Sequence, residues 1–193
     1  MNASRCRAAF CVSGAGRIAR AAIEQADALG IEPVLLAGED RAAADLEAFC
    51  AAHAVPFVRL PRDRALLDRT LVEALRAAQP DLICLTFDKL LPREIVELWP
   101  GRILNLHMGL LPATAGLNPL RRTIESGARF GGATVHEVTA GVDSGPLGAS
   151  VEVPVLPGDT PGTLGARVFP PAVQLLLDAI ARYARDCRYH RSE

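Results

Sequence analysis

Three polar side chains stand where their types and spacing allow chemistry. Asn105 and His107 intrude at the end of the run Ile103-Leu104-Asn105-Leu106-His107. The period of two in a strand sends the amide and the imidazole to the same side, about 7 Å apart along the backbone, into one crevice. Val142-Asp143-Ser144-Gly145-Pro146 then supplies a carboxylate on a glycine-flanked loop. The set offers an amide donor, a ring that titrates near neutrality and a carboxylate acceptor. Each residue also has a plain structural reading: a satisfied buried histidine, a turn former and a loop residue.

A second candidate lies near the start. Gly14-Ala15-Gly16-Arg17-Ile18-Ala19 matches G-x-G-x-x-G/A directly after an apolar run, and Glu39 lies 25 residues beyond Gly14. Glycines let the backbone approach a pyrophosphate, the following helix N-terminus offers N–H donors, and an acidic residue at that distance can hold a ribose. A nicotinamide-dependent oxidoreductase would use Gly14, Gly16 and Glu39. A tight strand-to-helix turn with no ligand explains the same residues.

The elements that must position these groups alternate. Ala8 to Val12 reads as a buried strand, and Ile18, Ala22, Ala26 and Leu29 as one face of a helix closed by Gly30. Strands are expected at Pro33 to Ala37, Phe57 to Leu60, Leu82 to Thr86 and Ile103 to His107, with helices at Ala42 to Ala52, Leu67 to Ala78 and around Arg93 to Leu98. A Pro-, Gly- and Thr-rich loop leads to a helix over Leu120 to Ser126, strands at Ala133 to Val138 and Gly148 to Val153, and a closing helix over Thr163 to Tyr183, interrupted or delayed by Pro170-Pro171. Strands interleaved with helices of this length imply right-handed crossovers and a doubly wound, mainly parallel α/β sheet covered on both faces.

The 193 residues, 50% apolar and 22% charged, suit one domain over 1–193. A net charge of -1 removes the electrostatic footprint of a nucleic-acid or anionic-membrane binder. Cysteines 6, 11, 50, 84 and 187 show no C-x-x-C pair and no short His spacing, so no metal site and no disulfide framework is expected. Free thiols fit a reducing cytosol, and the apolar run after Arg5 and Arg7 is too short for a signal-peptide core or a membrane span. The excess of Ala and of Arg over the single Lys89 is that of GC-rich coding and carries no functional signal, and a bacterial, cytoplasmic protein, monomer or homodimer, is the expectation.

The motifs read together resemble the folate-dependent formyltransferase family, which includes phosphoribosylglycinamide formyltransferase and the catalytic domain of methionyl-tRNA formyltransferase. The resemblance rests on Gly101-Arg102-Ile103-Leu104-Asn105-Leu106-His107-Met108-Gly109-Leu110-Leu111-Pro112, then Gly116, Gly132-Ala133-Thr134-Val135-His136 and Val142-Asp143-Ser144-Gly145-Pro146. It implies a Rossmann-type fold and transfer of a formyl group from 10-formyltetrahydrofolate, the donor co-substrate, to an amine. It assigns Asn105 and His107 to the oxyanion, His107 as a charged donor, with Asp143 keeping His107 protonated and ordering a proton relay. It places the pterin at Phe87, Asp88, Lys89, Leu90 and Leu91 and at Ala140, Gly141 and Val142, with Lys89 meeting the glutamate tail or lying solvated on the surface. Gly14, Ala15, Gly16 and Arg17 would hold a phosphate or acceptor.

Departures bear on the acceptor. Arg17-Ile18 replaces two polar residues of the purine enzyme's phosphate loop. Ala166-Arg167-Val168-Phe169-Pro170-Pro171-Ala172-Val173 lacks the carboxylate of its A-R-V-x-x-x-E-H segment, and Gly116-Leu117-Asn118-Pro119-Leu120 lacks its loop histidines. These differences favour another small-molecule amine over glycinamide ribonucleotide, with Arg121 and Arg122 able to steer an acidic acceptor or merely to solubilise a helix. Phosphoribosylglycinamide transformylation, formyltetrahydrofolate hydrolysis and non-catalytic folate binding are the alternatives within the same fold.

Overall fold

The computed structural model describes residues 5–39 and 43–190. Its elements run β1 (Cys6–Val12), α1 (Arg17–Glu24), α2 (Ala26–Leu29), β2 (Ile31–Glu39), α3 (Ala43–Ala52), β3 (Phe57–Leu60), α4 (Arg64–Ala78), β4 (Leu82–Thr86), α5 (Arg93–Leu98), β5 (Ile103–His107), α6 (Pro119–Glu125), β6 (Phe130–Glu137), β7 (Leu147–Pro154) and α7 (Pro161–His190). The expected start of the second long helix, Ala42, lies outside the described residues. The strands form a seven-stranded sheet in the order β3-β2-β1-β4-β5-β6-β7. The chain divides into two compact units, the described residues of Met1–Ile103 with Ile180–Glu193, and Leu104–Ala179.

In the first unit β1 pairs in parallel with β2 and β4, and β2 with β3. Successive residues from Ala8 to Val12 and from Leu82 to Leu85 are buried, so both faces of these strands are covered. Gly16 caps α1 in the left-handed region at φ 60°, and a Cβ there would lie 2.9 Å from Leu46 Cδ2 and 3.3 Å from Val12 Cγ2. Packing against α3 as well as backbone conformation therefore demands glycine in this turn. The helix expected to run on to Leu29 breaks at Gln25. Its side chain donates to the Ala21 carbonyl, the acceptor its own N–H would take in a continuous helix, while that N–H turns to Ile23. Farther on, Asp63 caps α4 by accepting from the Leu66 N–H, Leu67, Leu71 and Leu75 form its buried stripe, and Gln79 ends it at φ 46° ahead of Pro80.

In the second unit β5–β6 and β6–β7 are antiparallel. Gly132 permits close approach of β7, since a Cβ there would fall 1.9 Å from the Val151 carbonyl oxygen. α7 is not interrupted at Pro170-Pro171 as expected. It continues through both, because a stripe at every fourth residue, Leu164, Val168, Ala172, Leu176, Ile180 and Ala184, is fully buried and outweighs two lost backbone bonds. Among the described residues, 161–187 is one helix long and apolar enough to cross a membrane by length and composition. Its opposite face carries exposed Gln174, Asp178, Arg182, Arg185 and Asp186, the pattern of a helix that covers a core.

Candidate active site

The groups singled out in the second half of the sequence converge within the second unit. Asn105 and His107 face β6 through the register Asn105↔His136 and His107↔Thr134, and alternation then brings a second imidazole beside the first. His107 Nδ1 lies 3.4 Å from Asp143 Oδ2, and His136 Nε2 lies 3.4 Å from Asp143 Oδ1. One carboxylate thus bridges two imidazoles that are both buried.

The surrounding hydrogen bonds assign the tautomers. His107 Nε2 lies 3.0 Å from the Thr114 carbonyl, which only accepts, so Nε2 carries a proton and donates. His136 Nδ1 lies 3.0 Å from the Glu137 carbonyl and donates to it, while Nε2 lies 3.1 Å from Asn105 Nδ2 and 3.4 Å from Asp143 Oδ1. Burial, the largest influence, pushes the His107 imidazole below its ordinary value of 6.5. Asp143 and the Thr114 carbonyl oppose this, while His136 and Arg122 add to it. Burial thus works against the charged His107 that the resemblance implies, and Asp143 works for it. Its Nδ1 faces the Asp143 carboxylate across 3.4 Å, a gap that suits one proton.

Asp143 sits at φ 46°, a left-handed backbone conformation that Asp tolerates better than most residues, and its Oδ2 accepts from the Gly116 N–H at 2.8 Å. The neighbouring glycines are required by contact. A Cβ at Gly145 would fall 1.9 Å from the Glu137 carbonyl oxygen. At Gly109 it would lie 2.3 Å from Thr114 Oγ1 and 3.0 Å from His107 Nε2. Thr134 fixes the loop after β5, accepting from the Leu111 N–H at 3.1 Å and donating to the Gly109 carbonyl at 2.8 Å. Arg122 donates to the Ala115 carbonyl and so secures the loop that ends at Gly116. Ala140, Gly141 and Val142, immediately before the carboxylate, are exposed, Val142 with 55% of its surface open.

The other candidate positions lie in the first unit. Ser13 donates to Asp88 Oδ1 at 2.8 Å and accepts from the Asp88 N–H, tying the glycine turn to the segment after β4. Lys89 forms an ion pair with Glu39 and lies 3.2 Å from Asp88 Oδ1, and its hydrogen bond with Glu39 is the main influence raising its pKa. Lys89 is thus engaged within the fold by two carboxylates. Glu39, the ribose-binding candidate of the dinucleotide reading, is equally committed. Phe87 and Leu91 are half-buried, whereas Leu90 is 63% exposed and its carbonyl accepts from Arg64. Gly14 and Arg17 are exposed, Gly16 is buried, and the Ala15 carbonyl accepts from Arg20.

The antiparallel strands β5 and β6 and the loop after β6 thus bring together an amide, two imidazoles and a bridging carboxylate. The family model described as Formyl transferase matches residues 6–180, and the chain belongs to this family. Among curated relatives, it is 34% identical over 135 residues to methionyl-tRNA formyltransferase of Thermus thermophilus, covering 69% of this chain and 43% of that protein. It is 37% identical over 126 residues to trifunctional purine biosynthetic protein adenosine-3 of Drosophila melanogaster, covering 61% and 9%. The matches thus span less than half the length of these relatives. Among solved structures, glycinamide ribonucleotide transformylase 1 from Symbiobacterium toebii superposes with a TM-score of 0.86 at 31% identity, covering 96% of this chain and 90% of that one. Phosphoribosylglycinamide formyltransferase from Brucella melitensis gives 0.82 at 33%, covering 93% and 96%.

Sequence reading gave roles to Asn105, His107 and Asp143, quoted Gly116, Thr134 and His136 only as part of the resembling stretches, and passed over Thr114. The alternation of Thr134 and His136 on one face of a strand next to β5 was the available signal for two of them. Thr114 and Gly116 contribute through backbone groups of an irregular loop, which leave no mark on residue type.

Proposed function

We propose that residues 1–193 form a single domain acting as an N-formyltransferase that uses 10-formyltetrahydrofolate and formylates a small-molecule amine. The observation that carries this reading is the Asp143 carboxylate held between the His107 and His136 imidazoles, with the Asn105 amide anchored on His136. When bound, the donor supplies the formyl carbon and leaves as tetrahydrofolate once its nitrogen has gained a proton. Asn105 uses one N–H to hold His136 and turns the other toward the oxyanion. The slot between His107 Nδ1 and Asp143 Oδ2 takes the proton released by the attacking amine. The imidazolium so formed steadies the oxyanion and then returns the proton to the departing nitrogen. From the resemblance, the donor is assigned to Phe87, Asp88, Leu90 and Leu91 in the first unit and to Ala140, Gly141 and Val142 in the second, with Lys89 engaged by Glu39 and Asp88.

The acceptor is a small-molecule amine, and Gly14 to Arg17 receive its anionic group if it carries one. The relatives named as glycinamide ribonucleotide transformylases favour that nucleotide as the second reading. Ala172 stands where that enzyme's pattern has a carboxylate and is fully buried, and Arg167 is engaged by Asp159 at 2.7 and 3.0 Å. We therefore favour a different amine. The protein is read as a cytoplasmic, bacterial monomer or homodimer with no nucleic-acid or membrane partner. Calorimetric titration with a stable 10-formyl folate analogue, with NADH as the matched control, tests the donor. Saturable folate binding that is lost in Leu90→Asp supports the assignment, whereas binding of NADH alone contradicts it.

A further inference from the structure

In the first unit, chain segments far apart in sequence meet in an uncommon set of donors. Cys6 opens β1, Asp81 precedes β4, and Cys187 lies near the end of α7. Their two sulfur atoms and one carboxylate oxygen all lie within 4.8 Å of one another, with Cys6 and Asp81 buried and Cys187 partly exposed. Three atoms so spaced fit within a circle of radius 4.8/√3, about 2.8 Å, so one ion can sit no farther than that from all three. Zinc takes thiolate sulfur at about 2.3 Å and carboxylate oxygen at about 2.0–2.2 Å. Side-chain adjustments of a few tenths of an ångström therefore suffice.

We propose that Cys6, Asp81 and Cys187 form a binding site for a thiophilic divalent cation of the zinc class, with solvent at the fourth position. The donor set decides the class. Two thiolates and one carboxylate suit borderline-soft zinc and disfavour magnesium or calcium. Thiolate ligation requires each thiol to release its proton to solvent on binding. The frame is held before any ion arrives. Asp81 Oδ2 accepts from the Arg7 N–H at 2.9 Å, the Asp81 N–H donates to the Arg7 carbonyl at 2.8 Å, and the Tyr183 hydroxyl donates to the Asp81 carbonyl at 3.0 Å. Asp81 also lines an open depression of about 480 Å³, together with Arg7, Arg76, Arg102, Gln79 and Trp99. A bound ion would tie the last turns of α7 to the amino ends of β1 and β4, a clamp on the fold rather than part of the transfer chemistry.

Untagged, fully reduced protein stripped with chelator and titrated with cobalt(II) tests the site. The expected result is a thiolate-to-cobalt charge-transfer band saturating at one equivalent, bleached by zinc, with thermal stability raised by zinc. Cys187→Ser, at a partly exposed position, should keep its fold by circular dichroism and weaken cobalt binding at least tenfold, and Asp81→Asn should weaken it similarly. No band in excess cobalt, or a band unchanged in Cys187→Ser, overturns the proposal. So does a chain isolated without reductant that is lighter by two hydrogens through a Cys6–Cys187 disulfide and takes up no cobalt after reduction.

Discussion

Replacing Asp143 by Asn isolates the charge that the proposed chemistry needs. Asn tolerates the left-handed backbone at φ 46°, and its side-chain oxygen can still accept from the Gly116 N–H, so the loop should keep its shape. What disappears is a negative charge 3.4 Å from both imidazoles. A proton arriving at His107 Nδ1 creates a positive charge at that distance, and at an effective dielectric constant near 20 the attraction is worth about 5 kcal/mol. Reorganisation around the new charge returns part of this, so turnover should fall about 1000-fold, within the range for removing a proton acceptor or oxyanion donor. The assay is steady-state release of tetrahydrofolate at saturating amine, with urea unfolding to show that stability changes by less than about 1 kcal/mol. A variant turning over within tenfold of the native protein would refute the proton-slot reasoning.

Changing His136 to Phe removes the acceptor that holds Asn105 and one partner of Asp143, so kcat should fall by about 100-fold while KM for the donor changes little; a drop confined to KM contradicts a positioning role. Burial holds His107 below 6.5, so between its folded and unfolded values the unfolded chain binds the extra proton. Its contribution to stability is complete above 6.5 and lost as pH falls through the lowered folded value, and melting curves should show less acid sensitivity in His107→Gln than in the native chain. A Cβ at Gly109 would meet Thr114 Oγ1 at 2.3 Å and Pro119 Cβ at 2.7 Å, so Gly109→Ala should cost about 1–3 kcal/mol in urea unfolding, and a neutral result would contradict the close packing of this loop. Because Lys89 is engaged by Glu39 and Asp88, Lys89→Met should change KM for the donor by less than threefold and stability by under about 1 kcal/mol. A tenfold rise in KM would mean that its ammonium reads the folate tail.

Most of the fold was legible because burial on both faces of β1 and β4 leaves continuous apolar runs, and because Gly16, Gly30 and Pro80 mark their own boundaries. The break at Gln25 was not, since it depends on which group captures one carbonyl. Neither was the continuity of α7 through two prolines, where a buried stripe overrides local propensity. At the site, type and spacing pointed to Asn105, His107 and Asp143, but the protonation of His107 is set by the balance of burial against Asp143, and no motif encodes that balance. Lys89 and Glu39 read as possible ligand contacts for the same reason: only the fold shows that they satisfy each other. The cysteines told nothing through spacing, because positions 6 and 187 meet only when α7 is laid against the amino end of β1.

The central claim is tested most directly by incubating the protein with 10-formyltetrahydrofolate labelled in the formyl carbon and a panel of primary amines that includes glycinamide ribonucleotide, then reading the products by mass spectrometry. The account predicts a labelled formyl group on at least one small amine, formed with matching release of tetrahydrofolate and abolished in Asn105→Ala. Labelled formate as the sole product, or no consumption of the donor, would contradict it.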